Sequence, residues 1–310
     1  MLKRLVLLLA LPLATPAFAQ DMSWAYPLLI PPPPTDPSVQ LSVPGSTAHF
    51  TVGDVGDNFK AVDWFPAEHP PMPNVPVATG RAPELRACAA CHLPNGAGHP
   101  ESSNLAGQSV EYITRQMRAF AHGERANARS RLMVATAKAA KDDEVAAAAS
   151  YFAALPLANT SRVEEATEVP RTVVGSGAMR FVDPAGGFEP LGQRIIVVPM
   201  NGPDAAARDM HVGFISYVPS GSIAKGAALA TGTQKDDPLA CATCHGAGLR
   251  GSEIAPTLIG QHPIYVFRQL NDMKTGKRIG GNTALMAPIV AALDTDGMIA
   301  LAAYIGSLKP

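Results

Sequence analysis

The sequence predicts a mainly α-helical protein: two similar helical domains in tandem, preceded by a proline-rich arm and joined by a segment with some β-strand. Three observations carry this expectation. All four cysteines of the 310 residues fall in two copies of Cys-x-x-Cys-His, "CAACH" at 88–92 and "CATCH" at 241–245. Sliding the chain against itself by 153 residues aligns Cys88–Leu155 with Cys241–Leu308 without a gap, and 21 of those 68 positions are identical, the mark of an internal duplication. Within each copy the apolar residues recur at helical rather than strand spacing.

The chain opens with "MLKRLVLLLALPLATPAFAQ". Lys3 and Arg4 form a charged start, Leu5 to Leu13 an apolar run, and Ala17-Phe18-Ala19 a small-x-small cleavage pattern, so residues 1–19 read as a secretory signal peptide. That run is too short to span a bilayer, and no later stretch reaches eighteen uninterrupted apolar residues. The mature chain is expected to be exported to the periplasm, either soluble or peripherally associated with a membrane. Its net charge moves from −1 to −3 once Lys3 and Arg4 leave, which disfavours nucleic acid as a partner.

The arm is placed at residues 20–74; residues 20–80 hold "YPLLIPPPPTDP" and "WFPAEHPPMPNVP". Proline removes backbone donors and keeps the chain extended, so this arm should lie along a surface, with Trp24, Tyr26, Trp64 and Phe65 available to dock on a neighbouring domain.

The first domain is placed at 75–156 and the second at 220–310. Pro83 in "APELRAC" and Pro238 in "DPLAC" are expected at the first position of a short helix carrying each cysteine motif. Ser109 should cap a helix bearing Val110, Ile113, Met117 and Phe120, and Pro263 should open its counterpart with Val266, Leu270 and Met273. Closing helices follow Asp142 (Val145, Ala149, Phe152, Leu155) and Asp294 (Met298, Leu301, Leu308). Between the domains, 157–219 contains "RVEEATEVPRTVV" and "GQRIIVVPM", β-branched runs bounded by Gly and Pro that read as short strands, before "SGSIAKGAALA" returns to helix. This segment is either a docking surface or a spacer, and its Met200, Met210 and His211 read as ordinary residues.

Three chemistries use Cys-x-x-Cys. Zinc ribbons pair two such knuckles, but usually about 15–20 residues apart. A disulfide suits export, yet leaves the histidine after each second cysteine unexplained. Covalent haem attachment explains every residue: two thiols on one side of a helical turn add to the two vinyl groups of a porphyrin, and the adjacent imidazole faces the iron. Cys88, Cys91 and His92 then hold one haem, and Cys241, Cys244 and His245 the other. Met133 and Met286 each lie 41 residues after their histidine and follow a leucine, and this duplicated spacing makes them the candidate sixth ligands.

Around these, the carbonyl of Pro256, or of Ser103 at the matching position, could accept from the imidazole Nδ1–H; the Pro/Ser difference predicts unequal haem environments. Matched Arg125 and Arg278 could pair with propionates or face solvent. Tyr112, Phe120 and Tyr151 are expected to build an apolar pocket.

On "CAACH…LAGQ…YITRQM…LM…YFAAL" and "CATCH…LIGQ…YVFRQL…LMAP…YIGSL", residues 83–156 and 236–309, the sequence resembles the class I cytochromes c, and more closely the bacterial dihaem cytochromes with two class I domains in tandem. The resemblance implies a small all-helical fold around each of two covalently attached haem c groups, with His/Met iron. It also implies single-electron transfer from a dehydrogenase or quinol-oxidising donor to a terminal oxidase or reductase, as a shuttle or a cytochrome subunit. No catalytic residue is expected on that reading. The competing class is a peroxidase-like dihaem enzyme with one open iron, in which His49, His69, His99, His122 or His262 replaces a methionine; surface placement is the default for each.

Overall fold

The computed structural model describes residues 22–27, 35–127, 129–232 and 240–310. The expected signal peptide, the 28–34 proline run and Pro238 lie outside the described residues.

In the arm, β1 (Gln40–Leu41) pairs antiparallel with β2 (Phe50–Thr51). Thr51 then caps α1 (Val52–Gly56): its Oγ1 accepts from the Asp54 amide at 3.1 Å while the Asp54 carboxylate accepts from the Thr51 amide at 2.7 Å. The arm cannot bury its aromatics alone. Trp64 and Phe65 join Val43 and Val62 in a core completed by Leu93, Ala207 and Met210 from elsewhere in the chain, and Trp64 Nε1 donates to the Ala207 carbonyl at 2.8 Å. Residues 22–27 dock farther away: the Trp24 ring lies 4.7 Å from Phe267, and Tyr26 donates to Asp272 at 2.8 Å.

The first domain comprises α2 (Ala89–His92), α3 (Val110–Ala121), α4 (Arg131–Ala139) and α5 (Asp142–Ala154). Ser109 Oγ accepts from the Tyr112 amide at 3.1 Å, supplying a partner to one of the free donors of the first turn. Ile113, Ala149, Phe152 and Leu155 form the core, closed by Val77 at the start of the domain. Pro83 does not open a helix. Arg81 and Leu85 exchange backbone hydrogen bonds at 2.7 and 2.9 Å, closing a tight turn around it, and α2 begins only at Ala89.

The inter-domain segment is built of β3 (Ser161–Glu165), β4 (Glu168–Pro170), β5 (Thr172–Val174), β6 (Arg180–Val182), β7 (Phe188–Pro190), β8 (Ile196–Pro199), α6 (Gly202–Ala206) and β9 (Phe214–Val218). β9 lies between β3, to which it runs parallel, and β8, to which it runs antiparallel; β4 pairs with β7 and β5 with β6. β8 is covered on both faces, Val197 by one core and Ile196 and Val198 by another, which accounts for its unbroken apolar run.

The second domain comprises α7 (Ser222–Thr231), α8 (Cys241–His245), α9 (Pro263–Lys274), α10 (Ala287–Ala292) and α11 (Thr295–Ser307). Pro263 opens α9, and Asp294 caps α11 by accepting from the Gly297 amide at 2.7 Å. Phe267, Ile299 and Ile305 share one core with Val197, Phe214 and Val218 of the sheet. The joining segment thus packs as a layer against the second domain. Among the described residues no single helix is long and apolar enough to cross a membrane.

The two copies meet through matched residues. Gln108 Nε2 donates to the Thr257 carbonyl at 2.9 Å, and its counterpart Gln261 donates to the Asn104 carbonyl at 2.7 Å. Thr257 and Asn104 are themselves matched positions, so the contact is reciprocal, like an isologous dimer interface within one chain. Two histidines expected at the surface, His99 and His262, are buried, because the joining segment covers them: Arg208 reaches His99 and the Phe214 ring lies 5.1 Å from His262. His69, also expected outside, has a side chain only 3% exposed, between Asp63 and Tyr151. His49 and His122 are exposed.

Burial of His262 drives its pKa down to about 3, so the folded chain holds it neutral while the unfolded chain protonates it near 6.5. Between those values the unfolded state binds the extra proton, and stability falls as pH falls. Acidifying from pH 7 to 5 is expected to cost about 2 kcal/mol more in wild type than in His262→Gln, measured by urea midpoints at the two pH values.

Candidate functional site

Each Cys-x-x-Cys-His motif forms a one-turn helix with the histidine as its last residue. Both helices stop at once by turning into positive φ, at Leu93 (64°) in the first copy and Gly246 (76°) in the second, which carries the chain away from the imidazole. His92 Nδ1–H donates to the Ser103 carbonyl at 2.9 Å, and His245 Nδ1–H to the Pro256 carbonyl at 2.8 Å. A carbonyl can only accept, so the proton sits on Nδ1 and Nε2 keeps its lone pair for a ligand. Burial lowers the pKa of both rings and keeps them neutral. The inequality expected from Ser103 and Pro256 is absent at this bond, because the backbone carbonyl, not the side chain, makes it.

None of the four cysteines is paired in a disulfide. Burial pushes Cys88 up to about 12 and raises Cys241 as well, so these are not the low-pKa thiols of a redox nucleophile. Among the described residues no group of three or more His, Cys, Asp or Glu is gathered as a metal site, and the two cysteine pairs stay in separate domains. Phe152 stands edge-on to His92 with ring centroids 6.2 Å apart. Tyr151, edge-on to Phe152 with ring centroids 5.2 Å apart, donates to the Pro94 carbonyl at 2.7 Å.

Met133 lies in the first turn of α4, and Met286 ends the 3₁₀ turn that leads into α10. Both are half-buried while the leucines before them, Leu132 and Leu285, are exposed, so each methionine is the residue of its pair turned inward. Met286 packs against the core of the second domain.

Tyr112, Gln116 and Arg125 meet Tyr265, Gln269 and Arg278 at the contact between copies. Arg125 donates to Gln116 (2.9 Å) and Gln269 (2.7 Å), and Arg278 donates to Gln269 (2.9 Å) and Gln116 (3.0 Å). Each guanidinium also reaches the tyrosine of the other copy, at 3.4 and 3.3 Å. The backbones of Arg125 and Arg278 form an antiparallel bridge, and Phe120 lies under the Arg125 guanidinium, 4.1 Å from its carbon. Both arginines are buried, and neither forms an ion pair among the described residues. Tyr112 and Phe120 therefore serve this contact as well as any pocket. The glutamines were not singled out from the sequence as functional residues, although their identity in both copies was the signal that could have found them.

Paired cysteines, a neutral histidine with Nε2 free, and buried cations lacking carboxylates fit a porphyrin that brings vinyl groups, an iron and propionates. Residues 223–309 match the cytochrome c family, and cytochrome c-554(548) of Halomonas halodenitrificans is 37% identical over 68 residues, 22% of this chain and 82% of that protein. The chain belongs to the cytochrome c family. Members carry covalently bound haem c, and with two attachment motifs this chain carries two such groups. The chain is also similar to the thiosulfate dehydrogenase electron acceptor of Thiomonas intermedia strain K12, 29% identical over 207 residues, 66% of this chain and 70% of that protein. Among solved structures, the as-isolated thiosulfate dehydrogenase of Marichromatium purpuratum matches with a TM-score of 0.48 at 27% identity, covering 71% of this chain and 36% of that one.

Proposed function

We propose that the protein is a periplasmic dihaem electron carrier, passing single electrons from a dehydrogenase or quinol-oxidising donor to a terminal acceptor. In this reading 75–156 and 220–310 are two cytochrome domains. Cys88 and Cys91 hold one haem between His92 and Met133, and Cys241 and Cys244 hold the other between His245 and Met286. The observation that carries it is the twin hydrogen bond, His92 to Ser103 and His245 to Pro256, which presents two Nε2 atoms in the same state.

Bound haem supplies a one-electron Fe(III)/Fe(II) couple. The chain does the rest. The Ser103 and Pro256 carbonyls orient the imidazoles and raise their basicity. Methionine sulfur at the sixth position favours the reduced state, and the aromatics beside α2 exclude water. Arg125 and Arg278, buried among neutral partners, receive propionates; two buried guanidiniums without anions are otherwise strongly unfavourable. The similarity to an electron acceptor of thiosulfate dehydrogenase supports a dehydrogenase as donor.

A pyridine haemochrome assay should give two haems per chain, and ferric protein should show the weak red band of methionine-ligated iron. Met133→Ala and Met286→Ala are each expected to lower one of two potentials and to open one iron to cyanide. If wild-type iron takes up cyanide or peroxide readily, the carrier reading is lost and the peroxidase-like alternative replaces it.

A further inference from the structure

Outside the residues assigned above, one half-buried cation of this chain stands beside a haem-attachment motif without an anion. Arg208 lies in the turn between α6 and β9. Its guanidinium donates to His99 Nε2 at 2.9 Å, and its Nε is buried with no partner. Among the described residues no carboxylate pairs with it. The turn is held against the first domain from both sides. Trp64 Nε1 binds the Ala207 carbonyl at 2.8 Å, and Asn95 Nδ2 binds the Met210 carbonyl at 3.1 Å. Ala207 and Met210 share a core with Leu93, the residue directly after His92.

Burial pulls Arg208 below the usual arginine range, and the ring it binds, His99, is held neutral by its own burial. A charge partly withdrawn from water is screened less than one on the open surface. Conversion of Fe(III) to Fe(II) by one electron from the donor adds one negative charge to the site and exchanges no atoms, and a fixed cation stabilises the product. The 200–211 stretch occurs once in the chain, so Arg208 has no counterpart in the second domain, where the guanidinium acting on His245 is Arg278.

We infer that Arg208 is a positioning residue of the electron-transfer reaction: it places a half-buried positive charge against His99, on a turn packed against the residue after His92, and raises the redox potential of the first haem. The inference rests on the dihaem carrier reading. Single electrons settle on the first domain more readily than its histidine environment alone would dictate.

Gly177 supplies a test that leaves Arg208 in place. A Cβ there would lie 3.2 and 3.3 Å from the two terminal nitrogens of Arg208; the residue is exposed and has φ +63°, a conformation asparagine and aspartate tolerate best among non-glycine residues. Gly177→Asp sets a carboxylate on the guanidinium, and Gly177→Asn sets an isosteric neutral group there. Protein-film voltammetry on the full holoprotein should show two one-electron waves, with the first-domain wave identified by its displacement in Met133→Ala. Gly177→Asp and Arg208→Gln are expected to lower that wave alone, on the order of a tenfold change in the Fe(III)/Fe(II) ratio at fixed potential, about 59 mV. Gly177→Asn and Arg208→Lys should leave it in place. Equal shifts for Gly177→Asp and Gly177→Asn, or movement of the second wave instead, would overturn the inference even if Arg208→Gln does not fold. A wild-type protein lacking two haems and two waves would instead overturn the carrier reading itself.

Discussion

Gly226→Ala is expected to destabilise the second domain by about 3 kcal/mol or more, although glycine to alanine inside a helix ordinarily stabilises by about 1 kcal/mol. α7 crosses α11 at this residue so closely that a Cβ would lie 1.9 Å from the Ala300 carbonyl oxygen, 2.5 Å from its carbon and 2.8 Å from Tyr304 Cβ. Those are atoms of a mid-helix backbone, which cannot swing aside as the end of a long side chain can. The helices must separate and open the core around Ile299, Leu301 and Ala302, all buried. Gly56 is the control: it ends α1 and would meet nothing within 4 Å, so Gly56→Ala should be neutral or slightly stabilising. Thermal unfolding followed by far-UV circular dichroism checks both, with a fall in Tm of roughly 6–12 °C expected for Gly226→Ala. An unchanged Tm would show that the two helices do not cross as described.

The long helices were legible because their apolar period and their caps agree: Ser109, Pro263 and Asp294 stand where their types predict, each at a helix start. β9, the central strand, was not read. Its inward positions are Phe214, Ser216 and Val218, and the serine breaks the apolar pattern. Ser216 is tolerated there because it meets the Ser161 hydroxyl at 3.0 Å inside the sheet, a pairing between residues 55 apart that no local window contains. Proline at 83 misled because a tight turn and a first helical turn both accept its fixed φ, and the bonds between Arg81 and Leu85 favoured the turn.

Of the candidate site, the two Cys-x-x-Cys-His motifs stand out in the sequence itself, whereas what their matched neighbours touch depends on the fold. Identity between the two copies at Gln108, Tyr112, Gln116 and Arg125 suggested that each copy kept its own site. The structure shows the same residues holding the copies to one another. Duplication produces both outcomes, since a residue repeated in two halves related by a pseudo-twofold axis meets its own counterpart across that axis. Arg208 carries no motif at all. Its significance depends on a guanidinium packed against His99 without a carboxylate, a property of the tertiary structure alone.

His92→Ala should leave haem content at two per chain and remove about half of the low-spin signal. The prediction separates attachment from ligation. Cys88 and Cys91 remain, and two thioethers suffice for covalent retention, whereas the nitrogen aimed from α2 is gone. The loss has a structural side too: the Ser103 carbonyl, which His92 occupies at 2.9 Å, is left without its donor, at a cost of about 1–3 kcal/mol, and the face of Phe152 next to the ring loses its neighbour. His245→Ala should act equally on the other half, because its bond to Pro256 is of the same kind and length. Magnetic circular dichroism or electron paramagnetic resonance of the oxidised variants reads the low-spin fraction, and the pyridine haemochrome reads the haem count independently. A full low-spin signal in either variant would mean that another side chain ligates that iron. With His99 engaged by Arg208 and His262 covered by Phe214, neither buried histidine is free to move into that place, so the loss is expected to persist across pH rather than be rescued by a neighbour.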